Sequence, residues 1–407
     1  MKINVIGAGY IGLPTALTFA SNGFNVVATD LNEDLIKTLK NGNITFEEKG
    51  LKELFDDALK KSISFSTSCV EADYYIISVA TPYDVESKKI DPKYVIAATK
   101  DVLAKCKKGS TIVIESTVSP GTISNYVVPI IKNGGFELNK DIFVAHAPER
   151  IIPGNMIYEL SHNSRTIGCD DAEKGKEIVE LYSKITTGSV ILTSLRAAEM
   201  TKVVENTFRA INIAFANELL KICNLSNLDV REVINICNMH PRVNILQPGP
   251  GVGGHCIPVD PWFLVGDYPN TANLIKCAME INESMPDYVL EKAYYIAKEN
   301  NIKMNRIGIY GLTYKENVDD IRESPSLQLI EKHLKHLGDK LACYDPFVKK
   351  QIVADQYFDL RSFLDNVDFV IVMVKHNEIK DNTQLLEKKI VLDTQNVISS
   401  AFKLYKL

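Results

Sequence analysis

Short apolar runs alternate with amphipathic helical stretches over about the first 190 residues of the chain. Five of these runs are predicted to be strands: INVIGAG, NVVATD, YYIISVATP, TIVIEST and IFVAHAPER. Such alternation is typical of a doubly wound parallel sheet with helices on both faces. Functional side chains are then expected at the C-terminal ends of the strands, where crevices open in these sheets.

The pattern becomes purely helical from about Ser194 to Lys221, where RAAEMTKVVENTFRAINIAFANELLK contains no glycine or proline. A loop rich in glycine and proline follows, and a second helical stretch runs from about Thr271 to Asn300. Strand-like runs then return in RIGIYGLTYK, KLACYDPF, DFVIVMVKH and KIVLDTQN. We therefore predict an α/β fold in which a central all-helical domain, residues 193–300, joins two Rossmann-like doubly wound domains, residues 1–192 and 301–407.

Composition and charge narrow the class of protein. The 407 residues are 45% hydrophobic and 24% charged, which is typical of a soluble globular chain with two or three domains. A formal net charge of -5 gives no general attraction for nucleic acid or an anionic membrane, so local cations must bind any anionic ligand. The eight cysteines are scattered without a CxxC pair, and we find neither a signal sequence nor a membrane-spanning apolar run. These features predict a cytoplasmic protein with reduced thiols.

A glycine-rich segment between the first predicted strand and helix fits the dinucleotide fingerprint GxGxxG. Gly7 permits a tight turn, Gly9 lets a pyrophosphate approach the backbone, and Gly12 lets helix and strand pack closely. Asp30 ends the next predicted strand, where a carboxylate binds the adenosine ribose and repels a 2′-phosphate, which favours NAD over NADP. The alternatives are a glycine turn that only packs and a nucleotide site without redox chemistry. The predicted cofactor site comprises Gly7, Gly9, Tyr10, Ile11, Gly12 and Asp30.

Cys256 lies in the glycine- and proline-rich loop, four residues before Asp260. Backbone N–H groups that converge on the sulfur in such a loop would lower the pKa of the thiol and stabilise an oxyanion. The alternative is that Cys256 is a small buried residue, which is how we interpret the other seven cysteines. The loop by itself does not decide between these two interpretations of Cys256.

Lys202, Asn206 and Arg209 recur at helical spacing along the long helix, and Glu199 extends the same stripe. A solvated charged face would have the same spacing. The positions beside the stripe are apolar, which favours a helix buried on much of its circumference and a functional role for Lys202. These apolar positions are Val203, Val204, Phe208, Ile211 and Phe215.

Six sequence blocks together resemble the UDP-glucose/GDP-mannose dehydrogenase family, in the family's order and across nearly the whole chain. The blocks are GAGYIGLP, STVSPGT (116–122), APERIIPGN (147–155), EMTKVVENTFRAINIAFANEL, GVGGHCIPVD and GLTYKENVDDIRESP. PGN after the PER motif, and HCIPVDPWF around the cysteine, are similar to the branch that oxidises N-acetylated hexosamine nucleotides. UDP-glucose dehydrogenases are closer to GGSCLPKD. UDP-N-acetyl-D-mannosamine is therefore the expected substrate, and UDP-glucose and UDP-N-acetylglucosamine are the alternatives.

The resemblance also implies the domain roles and the reaction. The first domain would bind NAD, the central domain would carry the catalytic helix, the nucleophile loop and a dimer interface, and the last domain would bind the UDP-sugar. Oxidation of the sugar C6 alcohol to an acid removes four electrons, so two NAD molecules are used in turn. Cys256 would hold the intermediate as a thiohemiacetal and then as a thioester that water hydrolyses.

The other catalytic residues are carried over from the same family. Lys202 and Asn206 would hold the C6 oxygen and stabilise its developing negative charge. Asp260, with an ordered water and Thr117, would manage the proton of the first oxidation, and Glu149 would assist thioester hydrolysis. Which of Asp260, Glu149 and Lys202 serves as the base in each step stays open.

Further residues are carried over as binding groups. Pro82 and Thr117 would line the nicotinamide side, and Arg322 would offer a cation to the cofactor, although it also fits an ordinary cation at a helix start. Arg242 matches a family arginine that reaches a neighbouring subunit's sugar site, and His255 is interpreted as a substrate contact. The predicted substrate set is Glu149, Arg150, Lys202, Asn206, Arg209, Arg242, Gly253, His255 and Lys315.

The sequence also bears on metal binding, on the oligomeric state and on alternative functions. No metal site is predicted, because His333 and His336 lack a third ligand nearby and their segment fits a surface helix. A homodimer or higher homo-oligomer is expected, since the apolar side of the long helix needs a partner surface. The rivals are a two-electron hydroxyacid dehydrogenase, which has no need of Cys256, and a non-enzymatic NAD-binding protein. By family association, the pathway would be polysaccharide biosynthesis.

Overall fold

The computed structural model describes residues 1–152, 154–338 and 340–407 and divides into two units, Met1–Glu205 and Asn206–Leu407. The strands of the first unit are β1 Lys2–Ile6, β2 Asn25–Thr29, β3 Ile63–Ser66, β4 Tyr74–Ile77, β5 Ser110–Ile114, β6 Ile142–His146, β7 Arg165–Gly168 and β8 Val190–Thr193. They form one sheet of order β3-β2-β1-β4-β5-β6-β7-β8, parallel throughout except between β6 and β7. The strand order reverses between β1 and β4, which places a binding crevice beside the C-terminal end of β1.

Helices cover both faces of this sheet. They are α1 Gly12–Ser21, α2 Glu33–Lys40, α3 Leu51–Lys60, α4 Lys93–Leu103, α5 Val128–Asn133, α6 Met156–His162 and α7 Ala172–Ser183, with a π-helical turn at Ile123–Val127. Asn32 and Asp171 cap α2 and α7, since each side chain accepts a backbone N–H from the first turn. Helix α1 packs against β1, β2 and α3, which explains why its residues from Gly12 to Ala20 are all buried.

Successive strand residues point to opposite faces, so the first unit has two apolar cores. Val5 and Ile76 belong to the core on one face, and Ile6 and Ile77 belong to the core on the other. Burial on both faces explains why the strands are continuous apolar runs. All five strands predicted for this unit form, and they are β1, β2, β4, β5 and β6.

The long helix α8, Leu195–Leu225, begins in the first unit and ends in the second. The later helices are α9 Val230–Cys237, α10 Asp260–Asp267, α11 Asn273–Glu283, α12 Met285–Glu299, α13 Pro325–Leu337, α14 Leu360–Asn366 and α15 Asn377–Asp381. The helical stretch predicted from Thr271 to Asn300 is two helices with a break at Ser284. Pro286 explains the break, because proline has no N–H to continue α11 but fits the first turn of α12.

The second unit contains another parallel sheet. Its strands are β9 Ile307–Tyr310, β10 Ala342–Tyr344, β11 Gln356–Tyr357, β12 Phe369–Val372, β13 Ile390–Asp393 and β14 Lys403–Lys406. Their order is β11-β10-β9-β12-β13-β14, so the switch point lies between β9 and β12. The prediction of an α/β fold with Rossmann-like sheets at both ends and a helical region between them is confirmed.

Candidate active site

The fingerprint loop joins β1 to α1, and each of its glycines has a separate structural reason. A Cβ atom on Gly7, whose φ is +93°, would lie 2.2 Å from the carbonyl oxygen of Ser78, and one on Gly12 would lie 1.8 Å from the oxygen of Gly7. A Cβ on Gly9 would meet no atom within 4 Å. Gly7 and Gly12 are therefore required by the fold, whereas Gly9 faces open space, where a pyrophosphate can approach the backbone.

Asp30 is fixed at the C-terminal end of β2 by the same loop. One carboxylate oxygen accepts the N–H of Ala8 at 2.9 Å, and the other accepts the N–H of Asn32 at 2.9 Å. Carboxylate oxygens have further lone pairs, so the group can still accept hydrogen bonds from ribose hydroxyls. Tyr10 stacks on Phe46 with ring centroids 4.3 Å apart, and Ile11 is the N-cap residue of α1. This geometry fits a bound dinucleotide.

The loops after β4 and β5 are tied together. Ser116 Oγ accepts the N–H of Val79 at 2.8 Å and donates to its carbonyl oxygen at 2.7 Å. Thr117 follows directly and is partly buried. Pro82, in the loop after β4, accepts the N–H of Asp91 through its carbonyl oxygen at 2.8 Å. Pro82 and Thr117 thus extend from the C-terminal edge of the sheet, as a nicotinamide-side position requires.

Glu199 on α8 anchors the 116–122 loop instead of facing solvent. Its side chain is 1% exposed, and its carboxylate accepts the N–H groups of Gly121 and Ile123 at 2.5 and 2.9 Å. Burial raises the pKa of Glu199 above its usual range, although these two N–H groups act against it. Lys202, on the next turn of α8, is also buried. This part of the polar stripe is therefore not a solvated face.

Of the five apolar positions predicted beside the polar stripe of α8, Val203 is buried and Ile211 is partly buried. Val204 is 46% exposed, Phe208 66% and Phe215 52%, so one apolar face of the helix is open in the single chain. An exposed apolar face on a helix that also buries polar groups is unusual for a surface helix. Arg209 is exposed as well.

The PER loop after β6 carries Glu149 and Arg150. Glu149 is buried, and its Oε1 accepts the N–H of Arg150 at 2.7 Å. Its Oε2 lies 2.6 Å from Nη2 of Arg165 on β7, which the sequence analysis did not single out. The Arg150 guanidinium lies 2.8 Å from Thr166 Oγ1 and 2.9 Å from Glu205 Oε1, so both contacts are to residues of the protein. The binding of a substrate by Arg150 stays a prediction. Pro153 of the PGN motif lies outside the described residues.

In the second unit, Cys256 lies one turn before the start of α10. Its carbonyl oxygen accepts the N–H of Asp260 at 2.8 Å, and Asp260 is the first residue of the helix. Asn206 Nδ2 donates to Asp260 Oδ2 at 2.6 Å, and both side chains are buried. The positive end of the α10 dipole favours an anion nearby, as a thiolate at Cys256 would be. Three predicted catalytic residues are therefore gathered here.

The nucleophile loop lies directly on the segment that follows β9. Gly254, with φ at +88°, donates its N–H to the carbonyl oxygen of Arg322 at 2.9 Å. A Cβ on Gly253 would lie 2.5 Å from Cβ of Tyr314 and 2.8 Å from the oxygen of Glu323. Glu323 itself has φ at +47°, a backbone conformation that is costly for a residue with a side chain. Both glycines are therefore needed for this close approach.

Arg322 and His255 meet at Asp320. The Arg322 side chain donates from Nε to both Asp320 oxygens, at 2.9 and 3.0 Å. Burial opposes ionisation of Asp320, but the Arg322 hydrogen bonds and the nearby His255 lower its pKa overall. His255 itself is exposed, and Lys315 is partly buried. A cofactor role for Arg322 stays a prediction, as do substrate roles for His255 and Lys315.

Asp345 and His376 form a buried pair that the sequence analysis missed. The Asp345 Oδ2 accepts the N–H groups of Leu312 and Thr313, and it lies 3.1 Å from His376 Nε2. These contacts hold the loop after β9, much as Asp30 holds the loop after β1. Asp345 follows the buried strand β10, and His376 follows the buried strand β12. A polar residue after the C-terminal end of a buried strand was therefore the sequence signal that could have found this pair.

Other predicted positions lie apart from these groups. Arg242 is exposed in the loop after α9, as a residue that reaches another subunit must be. The prediction of a surface position for His333 is wrong, because His333 is 1% exposed and its Nδ1 lies 2.8 Å from the hydroxyl of Tyr294 on α12. Among the described residues, no cluster of His, Cys, Asp or Glu could hold a metal ion. Within those same ranges, no helix is both long and apolar enough to span a bilayer.

Comparison with known proteins finds relatives that span nearly the whole chain. A UDP-N-acetyl-D-mannosamine dehydrogenase from Methanococcus maripaludis is 41% identical, covering 98% of this chain and 93% of the relative. An NDP-N-acetyl-D-galactosaminuronic acid dehydrogenase from Ralstonia nicotianae is 37% identical, covering 98% and 96%. The solved structure of a UDP-N-acetyl-mannosamine dehydrogenase from Staphylococcus aureus is 40% identical with a TM-score of 0.90, covering 100% of this chain and 98% of that one.

Family models match the chain domain by domain. The NAD binding domain of the UDP-glucose/GDP-mannose dehydrogenase family matches residues 1–186, its central domain residues 196–284 and its UDP binding domain residues 308–400. These matches confirm the resemblance drawn from the six sequence blocks, and with it NAD as the cofactor. The chain belongs to the UDP-glucose/GDP-mannose dehydrogenase family.

Proposed function

We propose that this protein oxidises the C6 alcohol of UDP-N-acetyl-D-mannosamine to the uronic acid, with two NAD molecules consumed for each product. The observation that carries the proposal is the hydrogen bond from Asn206 on α8 to Asp260. Asp260 begins α10, one turn after Cys256. The full-length relatives with N-acetylhexosamine names support the choice of substrate over UDP-glucose. UDP-N-acetylgalactosamine and UDP-N-acetylglucosamine differ from it only in the orientation of hydroxyl or acetamido groups.

In the first oxidation, the substrate C6 alcohol loses a proton and a hydride. NAD supplies the chemistry of accepting the hydride. Lys202 and Asn206 stabilise the negative charge that develops on the C6 oxygen, and Asp260 manages the proton with an ordered water and Thr117. Asn206 is already hydrogen-bonded to Asp260, so the group that binds the C6 oxygen and the carboxylate that manages the proton are held together.

In the second oxidation, the aldehyde is kept on the enzyme. The Cys256 thiolate adds to the aldehyde carbon, and the resulting thiohemiacetal, as its alkoxide, loses a second hydride to become a thioester. A water molecule then attacks the thioester carbonyl with help from Glu149, and the Cys256 sulfur leaves. Retention on the sulfur explains why one chain can carry out both oxidations without releasing a reactive aldehyde.

Assembly and setting belong to the same proposal. The exposed positions Val204, Phe208 and Phe215 on α8 support a homodimer, or a higher homo-oligomer, in which this apolar face is covered. Arg242, exposed in its loop, would then contribute to the sugar site of the neighbouring subunit. The scattered cysteines support a cytoplasmic location. The uronic acid nucleotide would serve the synthesis of a surface polysaccharide.

The direct test is the number of NADH molecules formed per substrate consumed, measured with UDP-N-acetyl-D-mannosamine, UDP-N-acetylglucosamine, UDP-N-acetylgalactosamine and UDP-glucose. We expect two NADH per substrate and the highest kcat/KM with the mannosamine nucleotide. Two NADH with UDP-glucose alone would overturn the substrate assignment and keep the four-electron mechanism. One NADH per substrate would instead support a two-electron dehydrogenase.

A further inference from the structure

A buried group of charges links the cofactor helix to Glu149. Arg165 on β7 is 4% exposed, Glu115 directly after β5 is 1% exposed, and Glu149 in the loop after β6 is 7% exposed. The Arg165 Nη2 lies 2.6 Å from Glu149 Oε2, and its Nη1 lies 3.6 Å from Glu115 Oε1. One guanidinium is therefore shared by two carboxylates in the interior of the first unit.

Glu115 also accepts hydrogen bonds from side chains on two helices. Thr15 Oγ1, on α1, donates to Glu115 Oε2 at 3.0 Å, and the Tyr182 hydroxyl, on α7, donates to Oε1 at 3.3 Å. The Arg165 guanidinium also lies over the Tyr182 ring, 5.3 Å from its centroid. Thr15 is in the first turn of the fingerprint helix, so the charges connect the dinucleotide-binding element to the PER loop.

The energetics argue against a purely stabilising role. Buried ion pairs gain little over apolar residues of the same volume, because removing the charges from water offsets their attraction. This group also holds two acids for one base, and burial raises the pKa of Glu115 to about 7. His146, a buried titratable group at the end of β6, has its pKa lowered to about 4 by burial and is neutral at pH 7.

Several polar atoms of the group keep unused hydrogen-bonding capacity. The Arg165–Glu149 contact is close but misaligned, which leaves both Nη atoms of Arg165 and Oε2 of Glu149 buried without a hydrogen-bond partner in the described chain. Orphaned buried polar atoms are rare in folded proteins and call for a specific reason. The Glu149 carboxylate is therefore held by the charge of Arg165 and not by a well-aligned hydrogen bond from it.

We propose that Arg165 is a positioning residue that orients the Glu149 carboxylate for thioester hydrolysis, and that Glu115 couples this cation to helix α1 through Thr15. The inference rests on the proposed function. In the step concerned, a water oxygen bonds to the thioester carbon and one water proton passes to Glu149. The C–S bond breaks and its electron pair leaves with the Cys256 sulfur. Arg165 fixes which Glu149 oxygen faces the water.

The test uses Arg165→Lys, which keeps the positive charge but loses the planar fork. Rapid mixing of enzyme with NAD and UDP-N-acetyl-D-mannosamine should give a burst of two NADH per site, followed by slow turnover set by hydrolysis. We expect the burst rates and the KM for NAD to be retained and the slow phase to fall on the order of 100-fold, as misplaced groups commonly cause. Mass spectrometry should then show the acyl adduct on Cys256. Arg306→Lys, in the exposed ion pair with Asp368, is the matched control and should change none of these.

Glu115→Gln is the second variant, because its amide keeps the shape of the side chain if Arg165→Lys does not fold. We expect the hydrolysis phase of the wild type to depend on pH near 7 and that of Glu115→Gln to lose this dependence, with the burst unchanged. Equal slowing of burst and hydrolysis in both variants, or loss of NAD affinity alone, would overturn the positioning role. Fewer than two NADH formed per substrate consumed by the wild type would instead refute the proposed function itself.

Discussion

The hydrogen bond from Asn206 to Asp260 gives a prediction whose magnitude follows from the structure. The two atoms are 2.6 Å apart, Asn206 is 4% exposed and Asp260 is 2% exposed. Hydrogen bonds to charged groups contribute about 1.5–3 kcal/mol to stability, and burial protects this one from competing water. Asn206→Ala should therefore lower the free energy of unfolding by about 2–3 kcal/mol.

A double-mutant cycle separates this bond from the lost packing. Asn206→Ala, Asp260→Ala and the double variant are compared by denaturant unfolding, with Glu218→Ala as an exposed control on the same helix. We expect a coupling energy of about 1.5–2 kcal/mol between Asn206 and Asp260 and a change within about 0.5 kcal/mol for the control. A coupling near zero would refute the claim that these two side chains are held together.

The same variant has a kinetic consequence. If Asn206 also stabilises the charge on the C6 oxygen, its loss should lower kcat on the order of 100-fold, the usual effect of removing one oxyanion donor. The first NADH should slow as much as the second, because both oxidations pass through that charge. A change in KM with kcat intact would assign Asn206 to substrate binding alone.

Three further predictions follow from other parts of the site. Gly9→Ala should weaken NAD binding at least tenfold and leave the Tm unchanged. Gly12→Ala should also lower the Tm, because its Cβ would lie 1.8 Å from the Gly7 oxygen, and equal Tm values of the two variants in calorimetry would contradict this. Cys256→Ser should stall after the first oxidation or trap an ester, so steady acid formation by this variant would exclude the covalent scheme. The pKa of Glu115 rises from 4.5 to about 7 on folding, so the stability that this group contributes is fully present below pH 4.5 and is lost by about pH 7. The free energy of unfolding of Glu115→Gln, measured against pH, should not show this fall.

The parts of the fold that the sequence predicted share one physical property. Strands β1, β2, β4 and β5 are buried on both faces, so their apolar runs are continuous and easily recognised. Strand β7, RTIG, was missed because it has a single large apolar residue, and β8 was missed because it is largely exposed, so neither forms a detectable apolar run. The break at Ser284 was missed because apolar periodicity continues across it.

The site was predictable wherever a motif fixes the backbone. Gly7, Gly12 and Asp30 follow from the fingerprint, since sterics and ribose binding demand those residues. Arg165 and Glu115 could not be found in this way, because their meaning depends on tertiary contacts between separate strands. The exposure of Phe208 and Phe215 has a similar origin, since one sequence does not show which apolar faces the chain covers by itself.

The central claim is that Cys256 holds the substrate between the two oxidations and until hydrolysis. The most direct measurement is peptide mass spectrometry of enzyme quenched at millisecond intervals during turnover of UDP-N-acetyl-D-mannosamine with NAD. The account predicts an adduct on the peptide containing Cys256 that rises with the second NADH and decays with release of the acid. Two NADH per product with the Cys256 peptide unmodified at every time, or an adduct on the exposed Cys237 or Cys277 instead, would contradict it.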